Sequence, residues 1–132
     1  MPKKIPAGFL DLFSRPTFAH LATIMPDGSP QVTPVWFGFD GTYIIVNSAR
    51  GRQKDRNMRR NPEVAVEIMD PENPYRYIQV RGKVVEITEE GADDSIDSLA
   101  RKYLNVERYP NRRPGEVRVI YRISPEHIST MG

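Results

Sequence analysis

Apolar and polar residues alternate with a period of two through several short stretches, and this pattern predicts a mainly β fold. His20, Leu21, Ala22, Thr23 and Ile24 fall in a strand expected over residues 17–25. The turn signal Pro26-Asp27-Gly28-Ser29 joins it to a second strand over 31–39. Asp40-Gly41 is a further hairpin signal and leads to a third strand over 42–47. Residues 63–69 and 75–87 give a fourth and a fifth strand, with Gly82 marking a bend or bulge. The sixth covers 116–123, with Val117, Val119, Tyr121 and Ile123 on one side, and a turn at 124–127 follows it.

Helical spacing appears in three places. Residues 7–14 carry Phe9, Leu10, Leu12 and Phe13 and end at Arg15-Pro16. Residues 89–104 repeat Ile96, Leu99, Ala100, Tyr103 and Leu104, with Asp93 and Asp94 near the start and Arg101 and Lys102 near the end, as the helix dipole favours. A short basic helix lies between, and Asn61-Pro62 ends it. Six strands with repeated hairpin signals predict a small antiparallel barrel whose closure removes exposed edges. Pro30 and Pro34 lie inside the second strand and cannot donate to a ladder. That strand is therefore expected at an edge or bulged, with backbone groups left free for a ligand.

The chain has 132 residues, which suits one domain with its own core. It has no cysteine, so disulfides and thiolate metal sites are excluded, and His20 and His127 form no metal motif. No apolar run approaches the roughly 20 residues of a membrane span. The first residues carry no leader pattern, so a soluble cytoplasmic protein is the expectation.

Charge alters this picture at one place. The net charge is only +2, yet six of the basic residues fall between Arg50 and Arg60 against one acid, Asp55. Nucleic acid calls for a wider basic surface with interleaved aromatics, whereas a compact patch suits a small anion. The patch follows the strand Tyr43-Ile44-Ile45-Val46 and the turn Asn47-Ser48-Ala49-Arg50-Gly51-Arg52. Free N–H groups at a helix start, beside Arg and Lys, are suited to a phosphate. The competing reading is a solvated helix face. Trp36 is open between packing and ligand contact, and Arg59 and Arg60 are equally open. His20 is expected to be a satisfied core histidine, and Asp93-Asp94 to cap a helix.

The run His20-Leu21-Ala22-Thr23-Ile24, the turn Asp27-Gly28 and the stretch from Pro30 to Phe37 resemble the start of the pyridoxamine 5′-phosphate oxidase-like, flavin-binding split β-barrel superfamily. The segments from Lys54 to Pro62 and from Tyr77 to Val84 resemble it too, in the same order. Within it, the chain is most similar to the coenzyme F420-dependent oxidoreductases. The resemblance implies a six-stranded split barrel and a homodimer with a cofactor groove between subunits. It also implies hydride transfer from F420 to an unsaturated organic small molecule.

By position, Lys54 is expected on the cofactor phosphate, with Asn47, Ser48, Arg50, Arg52 and Asn57 around it. Pro34, Val35 and Trp36 are expected along the tricyclic ring, and Tyr77 and Gln79 near it. Thr33 stands where the amine-phosphate oxidases carry a phosphate-gripping arginine, which argues against vitamin B6 oxidation. The polyanionic tail of F420 would meet Arg56, Arg59 and Arg60, which favours F420 over FMN. An FMN enzyme and a non-catalytic F420 carrier are the alternatives.

Overall fold

A computed structural model describes residues 2–132. Seven antiparallel strands form one curled sheet: β1 (Ala19–Ile24), β2 (Pro30–Val35), β3 (Phe37–Phe39), β4 (Ile44–Ala49), β5 (Glu63–Asp70), β6 (Asn73–Thr88) and β7 (Arg118–Met131). Their order is β2-β1-β5-β6-β7-β4-β3. Three helices accompany the sheet: α1 (Asp11–Ser14), after a single 3₁₀ turn, α2 (Gln53–Arg60) and α3 (Ala92–Leu104).

The expected six strands become seven because residues 31–39 do not form one strand. The chain breaks at Trp36, so β2 pairs with β1 while β3 pairs with β4 at the opposite end of the sheet. One residue thus links the two edges of the curl, and β2 lies at an edge, as Pro30 and Pro34 require. The expected full closure is not made by a backbone ladder.

Side chains from α3 bridge that seam instead. The Tyr103 hydroxyl donates to the Thr17 carbonyl at 2.5 Å and accepts from the Phe37 N–H at 3.2 Å. Lys102 Nζ donates to the carbonyls of Phe13 and Phe37, both at 2.9 Å. Burial pushes the Lys102 ammonium down to about 8 and the Tyr103 phenol up to about 12. The Trp36 ring stacks on Tyr103 with centroids 5.2 Å apart.

Inside the curl, alternate strand residues make the core: Leu21, Phe37, Ile44, Val46, Val66, Ile68, Ile78, Val80, Tyr121 and Ile123 pack with Leu12 and Met58. Each large apolar side chain removed from water contributes roughly 1.5–3 kcal/mol. α3 covers the outer side of β4 and β7 with Ala92, Ile96, Leu99 and Ala100 buried beneath it. The Gly82 bulge is present: the β6–β7 register shifts between Arg81 and Gly82, and a Cβ there would collide with the Ser124 carbonyl. This bulge lets β7 run on through Ser124-Pro125-Glu126, where a terminal turn was expected.

α1 is shorter than expected, a single turn, and α3 begins at Ala92 rather than 89 because Gly91 precedes it with φ +76. The two acids near the start of α3 make no side-chain cap; Asp93 pairs with Arg112 instead. His20 is not a core residue: it sits half exposed on the outer sheet face, 2.9 Å from Glu67. No helix among the described residues is long and apolar enough to cross a membrane.

Replacing Tyr103 by Phe leaves the Thr17 carbonyl and the Phe37 N–H without this partner. The expected cost is about 1–3 kcal/mol in urea unfolding. An unchanged midpoint and slope would show that the hydroxyl does not hold the seam.

Candidate cofactor-binding site

The turn between β4 and α2 is fixed by one buried carboxylate. Asp55 is 2% exposed and accepts from the Gly51 N–H at 2.9 Å, the Tyr121 hydroxyl at 2.5 Å and Arg59 Nε at 3.0 Å. Burial alone would raise its pKa. The hydrogen bonds from Gly51, Tyr121 and Arg59 outweigh burial and hold it below the ordinary 3.8. Gly51 has φ +93, a conformation that L side chains rarely adopt. The turn therefore delivers Ser48, Arg52 and Lys54 to one place.

That place is a cleft of about 240 Å³ lined by Pro34, Val35, Trp36, Asn47, Ser48, Arg52 and Lys54. These are seven of the eleven residues expected at the cofactor. Phe18, Ile96, Tyr109, Asn111 and Arg118 complete the lining. Ser48 is 2% exposed, and its Oγ is the one buried side-chain N or O atom among the described residues without a hydrogen-bond partner. Such an orphaned group costs about 1–3 kcal/mol until something meets it. Lys54 is pushed below its ordinary 10.5 by burial first, then by the neighbouring cations Arg52 and Arg118. No carboxylate pairs with it among the described residues.

None of the five residues that complete the lining was expected at the cofactor, and Arg118 is the charged one among them. It opens β7 directly opposite Ala49 in the β4 ladder. Its Nε donates to Asn47 Oδ1 at 2.9 Å, and its guanidinium lies 5.1 Å from the centre of the Tyr109 ring. The other Asn47 group, Nδ2, donates to the Ala92 carbonyl at 2.8 Å and so ties the cleft to α3.

Four expected residues are not brought to this cleft. Arg50 is exposed and pairs with Glu89 at 2.9 Å. Asn57 is buried within the fold, donating to Thr23 Oγ1 and accepting from Gln53 and Arg60. Tyr77 and Gln79 lie on the outer face of β6, opposite Met131 and Ser129 of β7. The arginines expected on a polyanionic tail are also engaged. Arg56 donates to the Gly51 carbonyl, Arg59 to Asp55 and Arg60 to the Ile24 carbonyl. Asp55 takes the Gly51 N–H, just ahead of the α2 N-cap residue Arg52. A larger hollow of about 530 Å³ on the outer sheet face has charges that are partly matched, since Lys83 pairs with Glu63. It lacks an orphaned polar atom.

Comparison with known proteins places the chain in a split-barrel family. A family model described as pyridoxamine 5′-phosphate oxidase matches residues 5–132. The chain belongs to the pyridoxamine 5′-phosphate oxidase family.

Within this family, the chain is 35% identical over 80 residues to a pyridoxine/pyridoxamine 5′-phosphate oxidase of Rhodopseudomonas palustris (strain BisB5). That match covers 60% of this chain and 37% of the relative, so the chain spans well under half of that protein's length. Among solved structures, an F420 reductase is 38% identical with a TM-score of 0.83, covering 95% of this chain and 98% of its own. A conserved hypothetical protein from Mycobacterium tuberculosis is 25% identical with a TM-score of 0.76, covering 98% and 86%.

The Asp55 clamp carries a pH signature. A carboxyl held low in the fold contributes fully above its unfolded value, near 3.8, and the contribution is lost as pH falls through the lower folded value. Asp55→Asn is expected to cost about 1–3 kcal/mol at pH 7. The deficit relative to wild type should shrink in urea titrations below pH 4. A deficit independent of pH would show that ionisation of Asp55 is not what holds the turn.

Proposed function

We propose that the chain binds coenzyme F420 in this cleft and, as a homodimer, presents the deazaflavin for hydride transfer to an unsaturated organic substrate. The observation that carries the binding part is the orphaned Ser48 hydroxyl beside Lys54, in a cleft where cations outnumber carboxylates. A ligand phosphate would accept from Ser48 and Lys54, and charge-assisted bonds of this kind are the strong ones. The near full-length match to an F420 reductase favours the deazaflavin, and the family match keeps FMN as the second reading.

When bound, such a cofactor supplies the hydride chemistry, and the protein's part is binding, orientation and electrostatics. Arg52 and Arg118 would share the anionic charge with Lys54. Trp36, fixed flat against Tyr103, forms a rigid apolar wall, with Val35 and Phe18 beside it. Ile96 and Tyr109 add further apolar lining. Holding a reactant in place in this way can supply up to roughly 7–11 kcal/mol of barrier.

Incubation with F420 or FMN, desalting and absorbance should leave F420 on the protein. Lys54→Ala should weaken its binding by about 1.5–3 kcal/mol. Retention of FMN alone would reassign the cofactor, and retention of neither would remove the cleft from this role.

The homodimer rests on the outer sheet face. Val32 is 64% exposed at the centre of β2, and Met131 is 51% exposed at the end of β7. Ala22 and Ala65 lie between, directly opposite one another in the β1–β5 ladder. Pro34, opposite His20, belongs both to this face and to the cleft rim. A second copy covering the face would reach the cleft mouth, and would account for Tyr77 and Gln79, which one copy leaves outside it. Sedimentation should give twice the chain mass, and Val32→Asp should shift it toward one chain. A wild-type monomer at micromolar concentration would refute the dimer.

A further inference from the structure

One carboxylate lies among the cleft cations. Glu116 Oε1 is 3.0 Å from Arg118 NH1, and Oε2 is 3.5 Å from Arg52 NH2. Its side chain is only 10% exposed. The segment that carries it is fastened at both ends. The Glu116 N–H donates to the Arg113 carbonyl at 3.1 Å, and the Arg50 N–H donates to the Val117 carbonyl at 2.8 Å. The carboxylate is thus held just behind the cleft lining, against Arg118 and against Arg52 of the β4–α2 turn.

Arg118 does not need Glu116 to stay in place. Asn47 Oδ1 holds its Nε, the Tyr109 ring lies across its guanidinium, and its backbone is in the β4–β7 ladder. Arg52 is the N-cap residue of α2, and its N–H is bonded to the Ala49 carbonyl. The carboxylate therefore adds less to the shape of the site than to its charge. Three cations, Arg52, Lys54 and Arg118, face one carboxylate. An arriving anion gains from the three and is repelled by the one.

We propose that Glu116 is a specificity residue of this cleft, an internal counter-anion that shifts selectivity toward the singly charged phosphodiester of a ligand such as F420 and away from the doubly charged phosphomonoester of a ligand such as FMN. The inference rests on the reading of the cleft as a phosphate site. The physics is Coulombic: at one distance, repulsion scales with the charge of the arriving group. A phosphomonoester carries about −1.5 to −2 charge at pH 7, and a diester carries one. The carboxylate therefore penalises the monoester about twice as much in free energy. Removing its charge should improve binding of the monoester by about the square of the factor gained by the diester, so a fivefold gain for one implies about 25-fold for the other.

The test uses probes without a ring, so that it stands apart from the identity of the cofactor. Methyl phosphate and dimethyl phosphate are titrated at pH 8 and low salt into wild type, Glu116→Gln and Glu116→Ala, followed by NMR shifts. Thermal melts confirm that each variant is folded. Both variants should bind both probes more tightly, with the larger gain for methyl phosphate, and added salt should shrink the difference. In parallel titrations the ratio of FMN to F420 affinity should move toward FMN. Equal gains for the two probes, weaker binding in the variants, or no binding by any form would overturn the proposal. A wild type that binds the phosphate probes but neither F420 nor FMN would sink the cofactor reading and leave the role of Glu116 to the probe result.

Discussion

The candidate site depends on a carboxylate that lies outside its cleft. Asp55 gathers a turn N–H, a core tyrosine and a helix arginine around one buried charge. Those three partners come from the turn, from β7 and from the far end of α2. Without them a turn containing Gly51 at positive φ has several conformations open to it. With them it has one, and the cleft cations stand in register. Leaving such a charge buried and unpartnered is costly, so its partners are mutually dependent.

A second constraint is topological. The sheet curls until its ends approach, but no ladder closes it. Tyr103 and Lys102 instead tie the Phe37 backbone of β3 to the carbonyls of Thr17, just ahead of β1, and of Phe13 in α1. Because both come from α3, the helix is part of the barrel wall as well as a cover for it. The same helix contributes Ile96 to the cleft and, through Ala92, receives the Asn47 amide. Fold closure and site geometry thus share one element.

Much of this was legible in the chain, and the limits have physical reasons. The β4–turn–α2 unit is local, so Ser48, Arg52 and Lys54 could be placed together from neighbouring residues. The prolines of β2 forced an edge. The break at Trp36 was hidden because Val35 and Phe37 are both buried, so no polar gap marks the corner. Arg118 and Glu116 were missed because they reach the turn only through the β4–β7 pairing of Ala49 with Arg118, a contact across more than half the chain. Asn57 has helical spacing from Lys54, yet its amide is taken up by Thr23, Gln53 and Arg60. Spacing alone does not tell an inward face from a ligand face. His20 and Gln79 lie on a sheet face whose covering, if any, is a matter of association rather than of folding.

The prolines at 30 and 34 have one more effect. Edge strands invite foreign strands to zip on through unpaired amides. Along β2, alternate positions share one orientation, and two of the three at 30, 32 and 34 have no amide hydrogen to offer. This rim is chemically blunt toward cross-β growth, although the side chain at 32 is apolar and open to water. Molecules that meet along it must recognise one another by shape and side-chain contact. The chain can therefore leave an apolar side chain open along this edge without the hazard of fibrous self-templating.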